Sequence, residues 1–203
     1  MKILNLYAGI GGNRRLWKGH SISAVELDED IATVYHNLYP DDTLVIGDAH
    51  EYLLNHYNEF DFIWASPPCQ THSSFRQNLC VRYRGTKPVY PDMKLYQEVI
   101  FLQNNFKGDW VIENVKPYYE PLIKPKFELQ RHYFWSNVYV LNKQFNTSKL
   151  RVAQIPDLQI VHNVNLSKYK ITNKRQVLRN CVLSEVGLYI LQSITETVQE
   201  TER

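Results

Sequence analysis

Asp61-Phe62-Ile63-Trp64-Ala65-Ser66-Pro67-Pro68-Cys69-Gln70-Thr71-His72-Ser73 joins a short apolar run to a cysteine through two prolines. Residues 61–64 read as a buried strand of a parallel sheet, where both faces are covered and polar alternation is lost. Proline has a fixed φ and no N–H for a ladder, so the strand must end there. Cys69 then stands on a stiff platform beyond the sheet edge, placed to act as a nucleophile.

Outward from this strand, short apolar runs alternate with helical patterns, the signature of a doubly wound α/β sheet. Strands are predicted at 3–7, 23–27, 43–46, 60–65 and 110–113, and helices near 13–18, 30–38, 49–57 and 93–105. The aromatic segment 130–141 is predicted as a sixth strand, mostly core. An amphipathic helix over 183–200 is predicted to pack Val186, Leu188, Ile190, Leu191 and Ile194 on the sheet.

The 203 residues suit one domain, and no apolar run is long enough to span a membrane. Cys69, Cys80 and Cys181 are an odd number without C-x-x-C spacing, which argues against a disulfide framework or a zinc site. A reducing, cytoplasm-like compartment fits. The net charge of +2 hides an asymmetry: residues 1–75 carry four Lys or Arg against ten Asp or Glu, and residues 76–203 carry nineteen against eleven. A basic half of this kind suits an anionic polymer as partner; uneven scatter over a solvated surface is the alternative.

Ligands of doubly wound sheets bind outside the carboxyl ends of the strands. Strand 1 ends in Tyr7-Ala8-Gly9-Ile10-Gly11-Gly12, whose glycines permit a tight turn and close approach by a ligand. The G-x-G-G spacing is not that of a dinucleotide-binding turn. Glu26 ends strand 2, where a carboxylate can accept both ribose hydroxyls, although a solvated loop acid is the plain alternative. Asp48 follows strand 3 and could accept from an adenine amino group. Together the three ends point to an adenosine-type pocket. Strand 5 ends in Glu113-Asn114-Val115, a carboxyl and an amide able to face the crevice beside Cys69. The loop 71–92 carries Arg76, Arg82, Arg84 and Lys87 among Phe75, Tyr83 and Tyr90, which suits a phosphate backbone and a stacked base. His72 is read as a phosphate contact rather than a general base. The segment 149–179 has seven Lys or Arg and one acid, with an irregular β-like pattern, and is a second nucleic-acid candidate.

In this order the motifs resemble those of the DNA cytosine-C5 methyltransferases. Leu6–Gly12 looks like the first motif, Pro67-Pro68-Cys69-Gln70 like the catalytic motif, and Glu113-Asn114-Val115 like E-N-V. Arg175-Gln176-Val177-Leu178-Arg179-Asn180-Cys181-Val182 is similar to the last motif. The resemblance spans nearly the whole chain. It implies a Rossmann-like sheet of the S-adenosylmethionine-dependent methyltransferase type, with residues 1–203 as one catalytic domain.

It further implies that S-adenosylmethionine is held by Tyr7, Gly9, Gly11, Gly12, Glu26, Leu27, Asp48, Ala49, Pro67, Asn180 and Val182. Tyr7 would face the adenine, Glu26 the ribose and Asp48 the adenine amino group. Cys69, Glu113, Asn114 and Arg131 are the implied catalytic set, with no metal. Cys69 would add to carbon 6 of a cytosine flipped out of DNA, Glu113 would serve ring nitrogen 3, and loop 71–92 would close as a lid.

Asn5 and Tyr7 stand where Asp and Phe are usual, and Thr71-His72 replaces Pro-Phe. Gln130-Arg131-His132 resembles a remnant of the family's Q-x-R-x-R, and Arg179 replaces a glycine. The region that usually recognises the target is reduced to 138–172, about 35 residues. Recognition is then short and loose, or a second protein chain supplies it. The economy of length suits a phage or mobile element, hence a bacterial or phage-infected cytoplasm and restriction–modification. Alternatives are a silent cofactor- and DNA-binding partner of another methyltransferase, or an RNA cytosine-C5 methyltransferase.

Overall fold

The computed structural model describes residues 1–145 and 153–201, with side chains to residue 195. Five parallel strands come first: β1 (Lys2–Leu6), β2 (Ser21–Glu26), β3 (Thr43–Ile46), β4 (Phe62–Ala65) and β5 (Asp109–Val115). β6 (Phe127–Leu129) and β7 (His132–Ser136) add an antiparallel hairpin, and the sheet order is β3-β2-β1-β4-β5-β7-β6. The order reverses between β1 and β4. The turn after β1 and the Pro67-Pro68-Cys69 platform after β4 therefore flank the switch point where such sheets bind ligands. β4 is wholly buried, as its unbroken apolar run requires.

The helices are α1 (Glu29–Leu38), α2 (Ala49–His56), α3 (Lys94–Asn105), α4 (Ile155–Val161), α5 (Lys174–Asn180) and α6 (Ser184–Thr201). Asp28 starts α1 by accepting the Asp30 and Ile31 N–H groups at 2.9 and 3.1 Å. Asp48 does the same for α2, from His50 at 2.8 Å and Glu51 at 3.4 Å. α2 and α3 cover one face of the sheet through Leu53, Leu95, Val99 and Leu102. α6 covers the other, packing Val186, Ile190, Leu191 and Ile194 with Trp17, Phe62 and Trp64. Its Gly187 lies so close to the Asn13 backbone that an added Cβ would stand 2.1 Å from the Asn13 carbonyl oxygen. That contact seats α6 against the turn after β1.

Three expectations are corrected here. The strand expected at 130–141 is shorter, β7 at His132–Ser136, and it is the second arm of a hairpin whose first arm, β6, precedes it, the chain reversing at Gln130-Arg131 with Gln130 at φ +59°. The loop 71–92 is not structureless, because residues Arg76–Tyr83 wind into a wide π-type helix that closes with Arg84 N–H on the Leu79 carbonyl at 3.1 Å. The described part of 149–179 is helical rather than β-like. Pro156 in the first turn and the Gln154 N–H on Asp157 Oδ2 at 3.1 Å start α4 in spite of its β-branched residues. Within 138–172, Leu158, Val164 and Leu166 bury themselves against Ile10, Val34 and Leu178. Lys149 and Arg151 lie outside the described residues.

Candidate active site

A cleft of about 520 Å³ opens at the switch point, walled by Tyr7, Gly9, Glu26, Asp48, Asn180 and Val182. Gly12, Leu27 and Ala49 complete the part of the expected cofactor set that the cleft brings together. Gly9 at φ +56° has no heavy atom near its missing Cβ, so its glycine serves the turn. Two expected residues stand elsewhere. Gly11 is buried behind the turn, where a Cβ would fall 2.3 Å from the Tyr39 ring. Pro67 is buried under the platform, and its neighbour Pro68 faces the cleft instead.

Glu26 is fixed by backbone donors. Its Oε2 accepts from Gly9 N–H at 2.8 Å and its Oε1 from Leu27 and Asp28 N–H, both at 3.0 Å. This ties the end of β2 to the glycine turn, fills both acceptor sites of Oε1 and leaves one on Oε2 for a ligand hydroxyl. Leu27, 69 % exposed, offers an apolar surface beside it. Asp48 is more occupied than expected: besides capping α2 it pairs with Lys94 Nζ at 3.0 Å, and that bond holds its carboxyl below the usual range. Tyr7 adopts φ +55°, and its hydroxyl donates to buried Glu98, which also meets His50 Nδ1 at 2.9 Å. Glu98 draws the His50 pKa upward. Burial, then the Glu98 charge, pushes the Tyr7 hydroxyl well above its ordinary pKa, so it stays a donor. Asn5, where an acid is usual, forms a buried amide pair with Asn13 at 2.8 Å, an exchange a carboxylate could not complete.

The second half of the site lies across the platform. Cys69 is half-buried, and burial, then the Glu113 charge, pushes its thiol up to about 11, against a pull from Arg131. Glu113 is 7 % exposed, and burial lifts its carboxyl to about 7, while a bond from Ser66 and the Arg131 charge draw it back. Ser66 is itself held by the Trp64 indole N–H at 2.9 Å and lines the cleft. His132 Nε2 lies 3.5 Å from Glu113 Oε1, but burial and the Arg131 and Lys116 charges lower its pKa to about 3, so it is neutral. Asn114 is buried and donates to the Pro67 carbonyl at 2.9 Å, locking the platform to the end of β5. Arg131 arrives on the β6–β7 turn and donates to the Arg179 carbonyl at 3.1 Å. The four expected catalytic residues are thus brought together: the Glu113 and Arg131 charges act on Cys69, and Asn114 holds the platform that carries it.

His72 does not contact solvent phosphate. It is 1 % exposed, its Nδ1 meets the Tyr119 hydroxyl at 2.5 Å, and burial lowers its pKa. The reason is local: His72 N–H bonds the Cys69 carbonyl at 3.1 Å, which turns the chain inward under the platform. Ser66, Glu98, His50 and Lys94 were not foreseen. Only Ser66, inside the quoted stretch, carries a sequence signal; Lys94 reaches the cleft by tertiary contact, and Glu98 and His50 act on it through Tyr7. The Gln130 side-chain nitrogen is buried without a partner among the described residues, beside Arg131.

The family model of the C-5 cytosine-specific DNA methylases matches residues 1–128. The chain belongs to that family. No curated protein matches it. Among solved structures it is similar to a mutant of Spodoptera frugiperda DNMT2, with 22 % identity and a TM-score of 0.46 over 71 % of this chain and 53 % of that one. It is also similar to the Entamoeba histolytica methyltransferase EhMeth, with 12 % identity and a TM-score of 0.43 over 78 % and 59 %. A candidate DNA modification methyltransferase of an E. coli prophage gives 21 % and 0.38 over 59 % and 33 %. The chain thus spans about half the length of the first of these and a third of the last. The fold is a seven-stranded, Rossmann-like α/β sheet with helices on both faces, and no helix among the described residues is long and apolar enough to cross a membrane.

Proposed function

We propose that the chain methylates carbon 5 of cytosine in DNA, through a covalent Cys69 adduct on a flipped base. The observation that carries this reading is the buried Glu113 carboxyl, lifted to about 7 beside the Cys69 thiol. Near neutral pH such a carboxyl is part protonated, which suits an acid for ring nitrogen 3. Cys69, as thiolate, forms a bond to carbon 6; Glu113 gives its proton to nitrogen 3, and carbon 5 becomes an enamine-type nucleophile. S-adenosylmethionine, when bound, supplies an electrophilic methyl group. Once carbon 5 carries the methyl, a base takes its proton, the carbon 6–sulfur bond breaks to release Cys69 as thiolate, and nitrogen 3 returns its proton to Glu113, which restores the aromatic ring.

The cleft fits the methyl donor. Its glycine turn, the free acceptor site on Glu26 Oε2, the Leu27 surface and the Tyr7 ring offer contacts to an adenosine, and Ser66 and Pro68 bring its wall to the platform of Cys69. Asn114 positions that platform, and Arg131 favours the thiolate. Residues 138–172 serve target recognition in this reading, alone or with a second chain.

Incubation with DNA and labelled S-adenosylmethionine, followed by nucleoside mass spectrometry, tests the proposal. 5-Methylcytosine is expected, and Cys69→Ala should abolish it while keeping cofactor binding. A stable adduct on 5-fluorocytosine DNA should form with the wild type alone. No 5-methylcytosine on any cytosine-containing strand or duplex would count against the reading, and an adduct on RNA but not DNA would reassign the substrate.

A further inference from the structure

Phe75 stands 60 % exposed at the start of the segment that follows the platform. The Arg179 guanidinium carbon lies 5.9 Å from its ring centroid, within cation–π range. Arg131 donates to the Arg179 carbonyl, and its charge acts on Cys69. Arg131, Arg179 and Phe75 are thus linked one to the next by contact, with Cys69 within reach of the Arg131 charge. Further along the same segment Tyr83 is 83 % and Tyr90 94 % exposed. Arg82 stands exposed just before Tyr83, and Arg84 and Lys87 stand exposed between the two rings; none of the three joins an ion pair among the described residues. Residues 62–91 contain no acid.

Three large rings open to water beside unneutralised cations are costly to a free protein and suit a surface that takes nucleobases and phosphates. Such rings stack only on bases whose faces are free. Reading a duplex instead requires a helix or ribbon set into a groove. Among the described residues where a reader would lie, Leu158, Val164 and Leu166 are spent on the apolar cluster with Ile10 and Val34. Extruding a base from a duplex also costs a few kcal/mol that an unpaired target does not require.

We propose that Phe75 and Arg179, continued by Tyr83 and Tyr90, form a stacking platform for the unpaired bases flanking the target cytosine, so that single-stranded DNA is the preferred substrate. The target cytosine itself rests on the function proposed above.

The test is fluorescence anisotropy of the Cys69→Ala chain with a labelled single strand and with its duplex, at one salt concentration. The single strand should bind at least about 10-fold more tightly. Phe75→Ala should weaken single-strand binding by about 5- to 150-fold, the range for one stacked base, and Phe75→Trp should retain it. Phe75 is exposed, so these variants keep the fold, which circular dichroism verifies. Equal or tighter duplex binding overturns the proposal, as does unchanged single-strand binding in both Phe75→Ala and Arg179→Ala. Tighter binding of single-stranded RNA of the same sequence overturns the choice of DNA. Because Cys69→Ala cannot turn over, this result is separate from methylation: a wild type that makes no 5-methylcytosine fails the earlier reading and leaves the anisotropy comparison intact.

Discussion

Asn114 joins the ends of two strands: its side-chain N–H bonds the Pro67 carbonyl at 2.9 Å, and its Oδ1 accepts the Val115 N–H at 2.9 Å. Both proline nitrogens of the platform lack an N–H, so this amide ties Pro67 to β5 where the backbone cannot, beside the Tyr118 N–H on the His72 carbonyl further along. Asn114→Ala should strand a buried carbonyl and lower stability by about 1–3 kcal/mol. Denaturant unfolding measures the loss. Cys69 placement should suffer with it, so adduct formation on 5-fluorocytosine DNA should slow even at temperatures where the variant is folded. Unchanged stability and trapping would show that the tie is idle.

The thiol itself should be quiet in the free chain. Burial and the Glu113 charge hold it up to about 11, so alkylation of Cys69 by iodoacetamide near pH 7.5 should be slow and should rise with pH. Glu113→Gln removes the opposing charge and should speed alkylation several-fold; Arg131→Ala should slow it. Peptide mass spectrometry separates Cys69 from Cys80 and Cys181. Fast alkylation at pH 7.5 would contradict the burial argument.

Glu113 also gives stability a pH dependence of unusual sign. Its carboxyl is raised from 4.5 to about 7 in the folded chain, chiefly by burial. Between those values the folded state binds more protons than the unfolded, so this group's contribution falls as pH rises. Glu113→Gln lacks the effect. Relative to wild type it should gain up to about 3 kcal/mol on going from pH 4.5 to pH 8, read from urea unfolding at both ends. A constant difference between the two proteins would place the Glu113 carboxyl at its ordinary value.

Tyr7→Phe tests the wall of the cleft. Removing the hydroxyl leaves buried Glu98 with His50 as its remaining side-chain partner, and its Oε2 already lacks one. A loss of about 1–3 kcal/mol in stability is expected. Calorimetric titration with S-adenosylmethionine should show a several-fold weaker complex, since Glu98 no longer orients the ring. Full affinity in Tyr7→Phe would mean the ring needs no such anchor.

The parallel core was legible because its signals are local. An apolar run such as Phe62-Ile63-Trp64-Ala65 can only be buried on both faces, two prolines can only end it, and an acid at a strand end can only cap or bind. These placed β1 to β5 and the residues at their tips. Segments without such punctuation were misread. Gln130-Arg131 carries no glycine, so the reversal between β6 and β7 was hidden in an aromatic run; α4 was masked by its β-branched residues; His72 looked polar and turned out buried.

The sequence by itself determined a switched parallel sheet with Cys69 on a rigid platform and Glu113-Asn114 one strand away, because backbone sterics and burial act within a few residues. Only the tertiary structure decided what surrounds them. Glu98 under Tyr7, Lys94 on Asp48, Arg131 beside Cys69 and Arg179 over Phe75 are meetings of residues 46 to 104 positions apart. Desolvation and Coulomb interactions depend on distance in space, which no local pattern records, and these set the thiol and carboxyl pKa values on which the chemistry turns.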